Sequence, residues 1–412
     1  MTNDSEINKI AKRFSHLTFV IGYLSFVLLS FPAIAQTIPI TTNITSSTSG
    51  PTTLNSNIGG ISLSYTKVGT RDVTTLTWRP DFRYGFWSTG FDVNLALGEN
   101  KTPDYQNVVF RYVEYDDTKK GLRYGVLDGV TIGHGLIMKN YTTRKGPAIL
   151  LNNEQLGFRG YLDFDRYIVR GMATKANLYY ARVEERVNPL LTLGQYYVTD
   201  TTGRAVNLPV GPKQTPPVSA VGVDALVPLP LNFEGYAEAG QLLNHGSGLS
   251  AGLSWAYDLM VANASFGAEY RIFDKGFVPG YFGSEYEFNP IDLASVEAVA
   301  KPRNGFLVQF GLNALGLAKL SMAYESYTDS NSALSADLTA KLTEQVFVRG
   351  YYSQPNFVDF RSLSLEQGAI MGADVAYKLN AFTSLITHYK KQFNSSTGQV
   401  EEAQYYEISL SF

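Results

Sequence analysis

From Ile61 to the end of the chain, apolar and polar residues alternate with a period of two, with interruptions. In one segment Trp87, Phe91, Val93, Leu95 and Leu97 share a face opposite Ser88, Gly90, Asp92 and Asn94. In a second, Met260, Ala262, Ala264, Phe266, Ala268, Tyr270 and Ile272 oppose Asn263, Ser265, Gly267, Glu269 and Arg271. In a third, Phe306, Val308, Phe310 and Leu312 oppose Gln309, Gly311 and Asn313. Successive side chains of a strand point to opposite sides, so each segment predicts a strand with one apolar and one wet face. These runs approach the roughly 9–11 residues that cross a bilayer at a tilt, and exceed the roughly five or six common in soluble sheets.

The connections predicted between strands alternate in length. Short ones fall near Pro228–Leu231, Tyr257–Leu259, Ala314–Gly316, Lys341–Glu344 and Lys378–Asn380. Long ones cover 201–218, 273–303, 354–367 and 392–402, while 241–247 and 328–332 are intermediate. Short turns at one end and long loops at the other are expected of a barrel that spans an outer membrane. The pattern predicts about fourteen strands from Leu156 onward and up to four before Tyr115, an even total of about 14–18.

The first residues differ in kind. Lys9, Lys12 and Arg13 precede an apolar run from Leu17 to Phe31, and Pro32-Ala33-Ile34-Ala35 supplies small residues for a peptidase. Residues 1–35 therefore read as a signal peptide cleaved before Gln36. Residues 36–58 are rich in Thr, Ser, Asn, Gly and Pro and read as a flexible leader, with the barrel over 59–412. The chain has no cysteine, so no disulfide framework holds it. After the signal no apolar stretch reaches the roughly 20 residues of a membrane helix. A net charge of -3 gives no basic surface for a nucleic acid. The 27 Tyr and 24 Phe suit both a β-rich protein and a membrane–water boundary.

Near the C-terminus Tyr406, Ile408, Leu410 and Phe412 share one face opposite Tyr405, Glu407, Ser409 and Ser411. This resembles the C-terminal signature of bacterial outer-membrane β-barrel proteins, in particular porin-like ones. The resemblance implies an all-β fold, a transmembrane antiparallel β-barrel in the outer membrane of a Gram-negative-type bacterium. It also implies that these four residues are the signal read by the barrel assembly machinery.

One stretch breaks the alternation. Residues 121–141 (GLRYGVLDGVTIGHGLIMKNY) place glycines at 125, 129, 133 and 135 around His134. Glycine permits close backbone approach and positive φ, so the segment suits tight packing inside the barrel, although a glycine-rich strand pair in the wall is the preferred reading. Its core is similar to a segment of uncharacterised outer-membrane barrel proteins, which implies no activity.

Little points to chemistry. The four histidines, at 16, 134, 245 and 388, have no ligand spacing, so no metal is expected. Asp116-Asp117 precedes Thr118-Lys119-Lys120 in what reads as a solvated turn, and no phosphate-binding glycine loop occurs in a strand–helix setting. No catalytic residue and no cofactor are expected.

With the wet face inward, the candidate lumen lining is Asp92, Arg111, Arg159, Asp163, Glu234, Glu238, Glu269, Arg271, Lys319, Glu325, Arg349 and Asp374, with Asp165, Lys175, Asp224 and Glu407 assigned to the same face. Acids modestly outnumber bases, which predicts a mild cation preference if the lumen is open. The expectation is a channel for passive passage of small hydrophilic solutes, surrounded by outer-membrane lipid and suited to a homo-oligomer. The alternatives are a surface-displayed binding barrel, using Tyr281, Phe282, Tyr286, Phe357 and Phe360 in long loops, and more remotely a membrane enzyme.

Overall fold

The computed structural model describes residues 60–411, apart from 69–70, 79, 98–106, 144–154, 209–210, 288–289, 300, 315, 329–331, 359–368, 381–382 and 395–398. The expected signal peptide, the leader and Phe412 lie outside these residues.

Strands dominate. Twenty-one of them form a single sheet, and every pairing in it is antiparallel. Arg71–Trp78 and Asp81–Tyr84 lie end to end against Trp87–Leu97, with Pro80, which has no amide hydrogen to donate, in the break. Counted as one stave, they leave twenty around the wall. The first strand, Gly60–Val68, pairs with Arg71–Trp78 on one side and with the last strand, Gln399–Ser411, on the other. The ladder of pairings therefore returns to its start, with only the short strand Asp81–Tyr84 paired on one side among the described residues, which satisfies most backbone groups that an open sheet would leave unpaired.

Twenty staves exceed the 14–18 expected. One cause is the wall strand Lys120–Gly125, only six residues long, which opens the glycine-rich stretch and carries too little alternation to register. Elsewhere the staves are long: Gly246–Leu259 has 14 residues, and Ala262–Phe273, Arg303–Ala314 and Thr383–Asn394 have 12 each. Met260, assigned to a strand by pattern, instead sits in a turn at φ 41°.

The two faces of the wall differ in chemistry. Tyr270 and Ile272 are 52 % and 46 % exposed, while their neighbours Glu269 and Arg271 are 6 % and 4 % exposed. Outward positions pair across strands as Phe266 with Phe310, Ala268 with Val308 and Tyr270 with Phe306. The same parity exposes Leu122, Tyr124, Phe158, Leu162, Val169, Leu193, Val221, Val223, Leu249 and Leu253. An apolar outer band of this extent far exceeds the few hundred Å² of contiguous apolar surface that a soluble monomer shows.

Connections also segregate. At one end lie short turns, such as 85–86, 117–119, 164–166, 189–190, 230–232 and 260–261; at the other lie 126–156, 201–217 and 274–302. Asp165 and Lys175, assigned to the lumen by pattern, sit in turns between strands.

The preferred reading of residues 121–141 is corrected. Only Lys120–Gly125 joins the wall; residues 126–143 turn inward and form a plug. Val126, Leu127, Ile137, Met138 and Tyr141 are fully buried, and Ile132 and Leu136 nearly so. All but Val126 belong to one core with Met172, Leu178, Tyr196, Val198, Ala220, Leu242, Phe273 and Tyr327 of the wall, and with Phe277, Tyr281, Phe282 and Tyr286 of a second inward loop. Eight apolar residues in the sixteen of 126–141, broken by glycines with positive φ at 129, 133 and 135, make a compact loop rather than a flat strand.

Candidate functional site

The candidate site is the inner face of the wall together with the plug that sits against part of it. The inward parity places charged residues of adjacent strands in register. One row runs Glu184, Gly194, Asp224, Glu238, Ser250, Arg271, Gly305 and Tyr327; its neighbour includes Tyr236, Glu269, Leu307 and Glu325.

Most of these charges pair within the wall. Arg182 donates from both terminal nitrogens to Asp224 at 2.7 and 2.9 Å and from Nε to Glu184 at 2.8 Å; Arg170 reaches the same Glu184 at 2.8 Å. Arg271 donates to Glu269 and to the Tyr327 hydroxyl at 3.1 Å, and lies 3.4 Å from Glu325. Tyr236 donates to the other Glu269 oxygen at 2.9 Å. Arg349 grips one Asp337 oxygen through two nitrogens, at 2.7 and 2.9 Å. His388 lies between Asp374 at 2.8 Å and Glu407 at 3.3 Å, each carboxylate on a different ring nitrogen. Both nitrogens are thus engaged, which suits a strut between three strands better than a metal ligand.

Around the remaining wall Arg111 pairs with Asp81 at 2.7 Å, Arg123 with Glu114 at 2.8 Å, and Arg159 with Glu114 at 3.8 Å. Asp163 binds Arg186 at 2.9 Å near the short-turn end. Glu234 and Lys319 are exposed near turns. The side chains of Asp92 and Leu410 lie outside the described residues, and Tyr406 and Ile408 are exposed on the outer side.

Pattern reading missed Arg170, Arg182, Glu184 and Asp337. In the strand Leu178–Asn188 the sequence LYYARVEERVN mixes charges onto both faces, so a period of two is hard to see. It also overrated Glu238 as free lining. That carboxylate is 1 % exposed beneath the plug, where it accepts the backbone N–H of His134 at 2.8 Å and of Leu136 at 3.3 Å, and the Tyr196 hydroxyl. Gly133 packs directly over it, since a Cβ there would lie 2.5 Å from Glu238 Oε1.

On the plug, the His134 ring stacks on Tyr236 at 4.0 Å. Burial holds its imidazole below the usual histidine range; Asp224, Glu269 and Glu184 oppose that shift and Arg182 adds to it. Burial likewise lowers Lys139, with help from Arg271 and against Glu325 and Glu269. The other expected features resolve simply. Asp117 accepts the amides of Lys119 and Lys120 in a turn, at 3.1 and 2.9 Å, and His245 pairs with Glu297. The loop aromatics assigned to surface binding are buried: Tyr281, Phe282, Tyr286 and Phe357 are each 4 % exposed or less, and Phe360 lies outside the described residues.

No family model matches the chain, and no curated protein matches it. Solved structures similar to it include OccK11 of Pseudomonas aeruginosa, with 10 % identity over 85 % of this chain and 94 % of that one, at a TM-score of 0.44. A BenF-like porin from Pseudomonas fluorescens shares 10 % identity over 86 % and 97 %, also at 0.44. Pseudomonas aeruginosa OccK2, solved in complex with glucuronate, shares 12 % identity over 86 % and 96 %, at 0.42.

Proposed function

We propose that the protein is an outer-membrane channel that passes small hydrophilic solutes passively, without a cofactor. The observation that carries this reading is the inversion of the wall: apolar side chains face outward, and ion pairs with residual solvent contact face inward. Arg349, Asp337, Glu407, Arg123 and Glu114 keep 16–33 % of their side-chain surface. Charged groups are costly against lipid and belong on a wet interior. The plug's buried contacts lie on strands between Tyr167 and Tyr327, so the inner faces of later strands, with Asp337, Arg349 and Asp374, are left to the solute.

The pairing of lumen charges revises the expected cation preference. Glu238 is covered and Glu269 is neutralised by Arg271, so the lining is closer to balanced than a count of acids suggests. Burial of Tyr281, Phe282 and Tyr286 in the plug core, and of Phe357 against Tyr324 in the wall, removes the support for a surface-binding barrel. Outer-membrane lipid would cover the apolar band, and the face ending in Phe412 would be read by the barrel assembly machinery. Homo-oligomerisation is part of the same proposal. The test is fractionation followed by liposome swelling. Recovery with the outer membrane, and swelling in small sugars that fades as solute size grows, support the reading; a folded protein soluble without detergent defeats it.

A further inference from the structure

Three segments far apart in sequence meet in one buried cluster above the plug. Arg204 follows the strand Leu191–Asp200, Glu287 lies in the connection 274–302, and Tyr141 closes the plug. Arg204 donates from Nε and Nη2 to the two oxygens of Glu287, at 3.0 and 2.9 Å, and from Nη1 to Asp200 at 2.7 Å. Tyr141 donates its hydroxyl to Glu287 and Tyr286 donates its own to Asp200, both at 2.6 Å. The side chains of Asp200 and Glu287 are wholly removed from solvent, and that of Arg204 is 9 % exposed.

Arg204 is itself held in place. Its amide donates to Thr215 Oγ1 at 2.8 Å, and Thr215 returns its own amide to the Arg204 carbonyl at 2.7 Å. Gly203 sits at φ +70°, with the Thr215 carbonyl where a Cβ would be. The planar fork of arginine matches a carboxylate bidentately, so the cluster is directional as well as charged.

The geometry shows what this cluster fastens. Plug and second loop are already one body: the amides of Gly280 and Phe282 donate to the carbonyls of Leu136 and Ile137, and that of Lys139 to the carbonyl of Phe282. Charged groups tie this body to the wall at opposite parts of the plug. One is Glu238, under His134 and Leu136; another is the Arg204 cluster, at the end by which the plug departs.

We propose that Arg204 and Glu287 are positioning residues that clasp the plug to the rim, so that the clasp, rather than barrel diameter, sets the largest solute admitted. The second half of this statement rests on the channel reading; the first does not. The full mature protein is folded in detergent and carried as wild type, Arg204→Met, Glu287→Gln and Tyr141→Phe. Hydrogen exchange of peptides covering 130–141 and 277–287 reads the clasp, and liposome swelling with sugars of increasing size reads the passage.

Arg204→Met and Glu287→Gln are expected to raise exchange in both peptides at least tenfold while wall peptides stay as in wild type. Swelling in a trisaccharide should rise several-fold. Tyr141→Phe, which removes one hydrogen bond and keeps the ring, should move both readouts the same way by less, and decides the matter if the charged variants do not fold. Wild-type exchange in a folded variant overturns the clasp. Faster exchange with an unchanged size limit overturns its control of the passage. If the wild type causes no swelling, the channel reading fails, and the exchange arm still judges the clasp.

Discussion

Replacing Glu238 with Ala should release the plug without dissolving the wall. In the native protein this carboxylate is 1 % exposed and serves three donors: two plug amides and the Tyr196 hydroxyl. A buried donor left unsatisfied costs about 1–3 kcal/mol. The Leu136 contact, at 3.3 Å, is weak, so two donors dominate. Water entering the vacated space offsets part of the loss, leaving roughly 3 kcal/mol. At about 1.4 kcal/mol per tenfold, the opening equilibrium of the plug shifts on the order of a hundredfold. Exchange measured on a peptide spanning 130–141 should accelerate by that factor, with His134 and Leu136 affected first. Glu238→Gln keeps one carbonyl acceptor and should lose about tenfold. Unchanged exchange in the Ala variant, or equal acceleration throughout the wall strands, would refute the anchoring of the plug by this residue.

Three further outcomes follow from the same geometry. Ala268→Arg places a cation on the lipid-facing row beside Val308 and should block insertion, at a cost of about 2–4 kcal/mol near the midplane; equal yield of folded protein on a heat-modifiability gel contradicts the facing. Glu269→Gln should insert at normal yield yet melt earlier, because Arg271 loses its closest charged partner; an unaltered melting temperature contradicts the pairing. For His134, folding lowers the pKa, so the unfolded plug binds more protons: stability is full above about pH 6.5 and is lost as pH falls from there through the depressed value. Protection of the plug amides, corrected for the intrinsic pH dependence of exchange, should therefore fall on acidification in wild type and fall less in His134→Phe, and identical pH profiles count against it.

The strand content and the inward direction of charge were readable because a strand's period of two survives in Ala262–Phe273 and Arg303–Ala314, where one face is apolar and turned outward. The asymmetry of the connections was readable too, since 201–217 and 274–302 are long in any register. The plug was only half legible. Glycines at 129, 133 and 135 announced unusual backbone, but the partners that make the stretch an inward loop, Glu238 and Glu287, lie about a hundred residues or more away. Lys120–Gly125 was too short to show its period. The charge balance misled for a related reason: pairing is a property of neighbouring strands, and Arg182 meets Asp224 only after two more strands are in register.

Conduction is the property on which the whole reading turns, and planar-bilayer recording of the purified mature protein measures it directly. The wall, lumen and off-centre plug predict discrete, steady steps that scale with salt and show little preference between small cations and anions. A protein proven to be inserted, by protection of its strands from external protease, yet electrically silent across many reconstitutions, contradicts the channel.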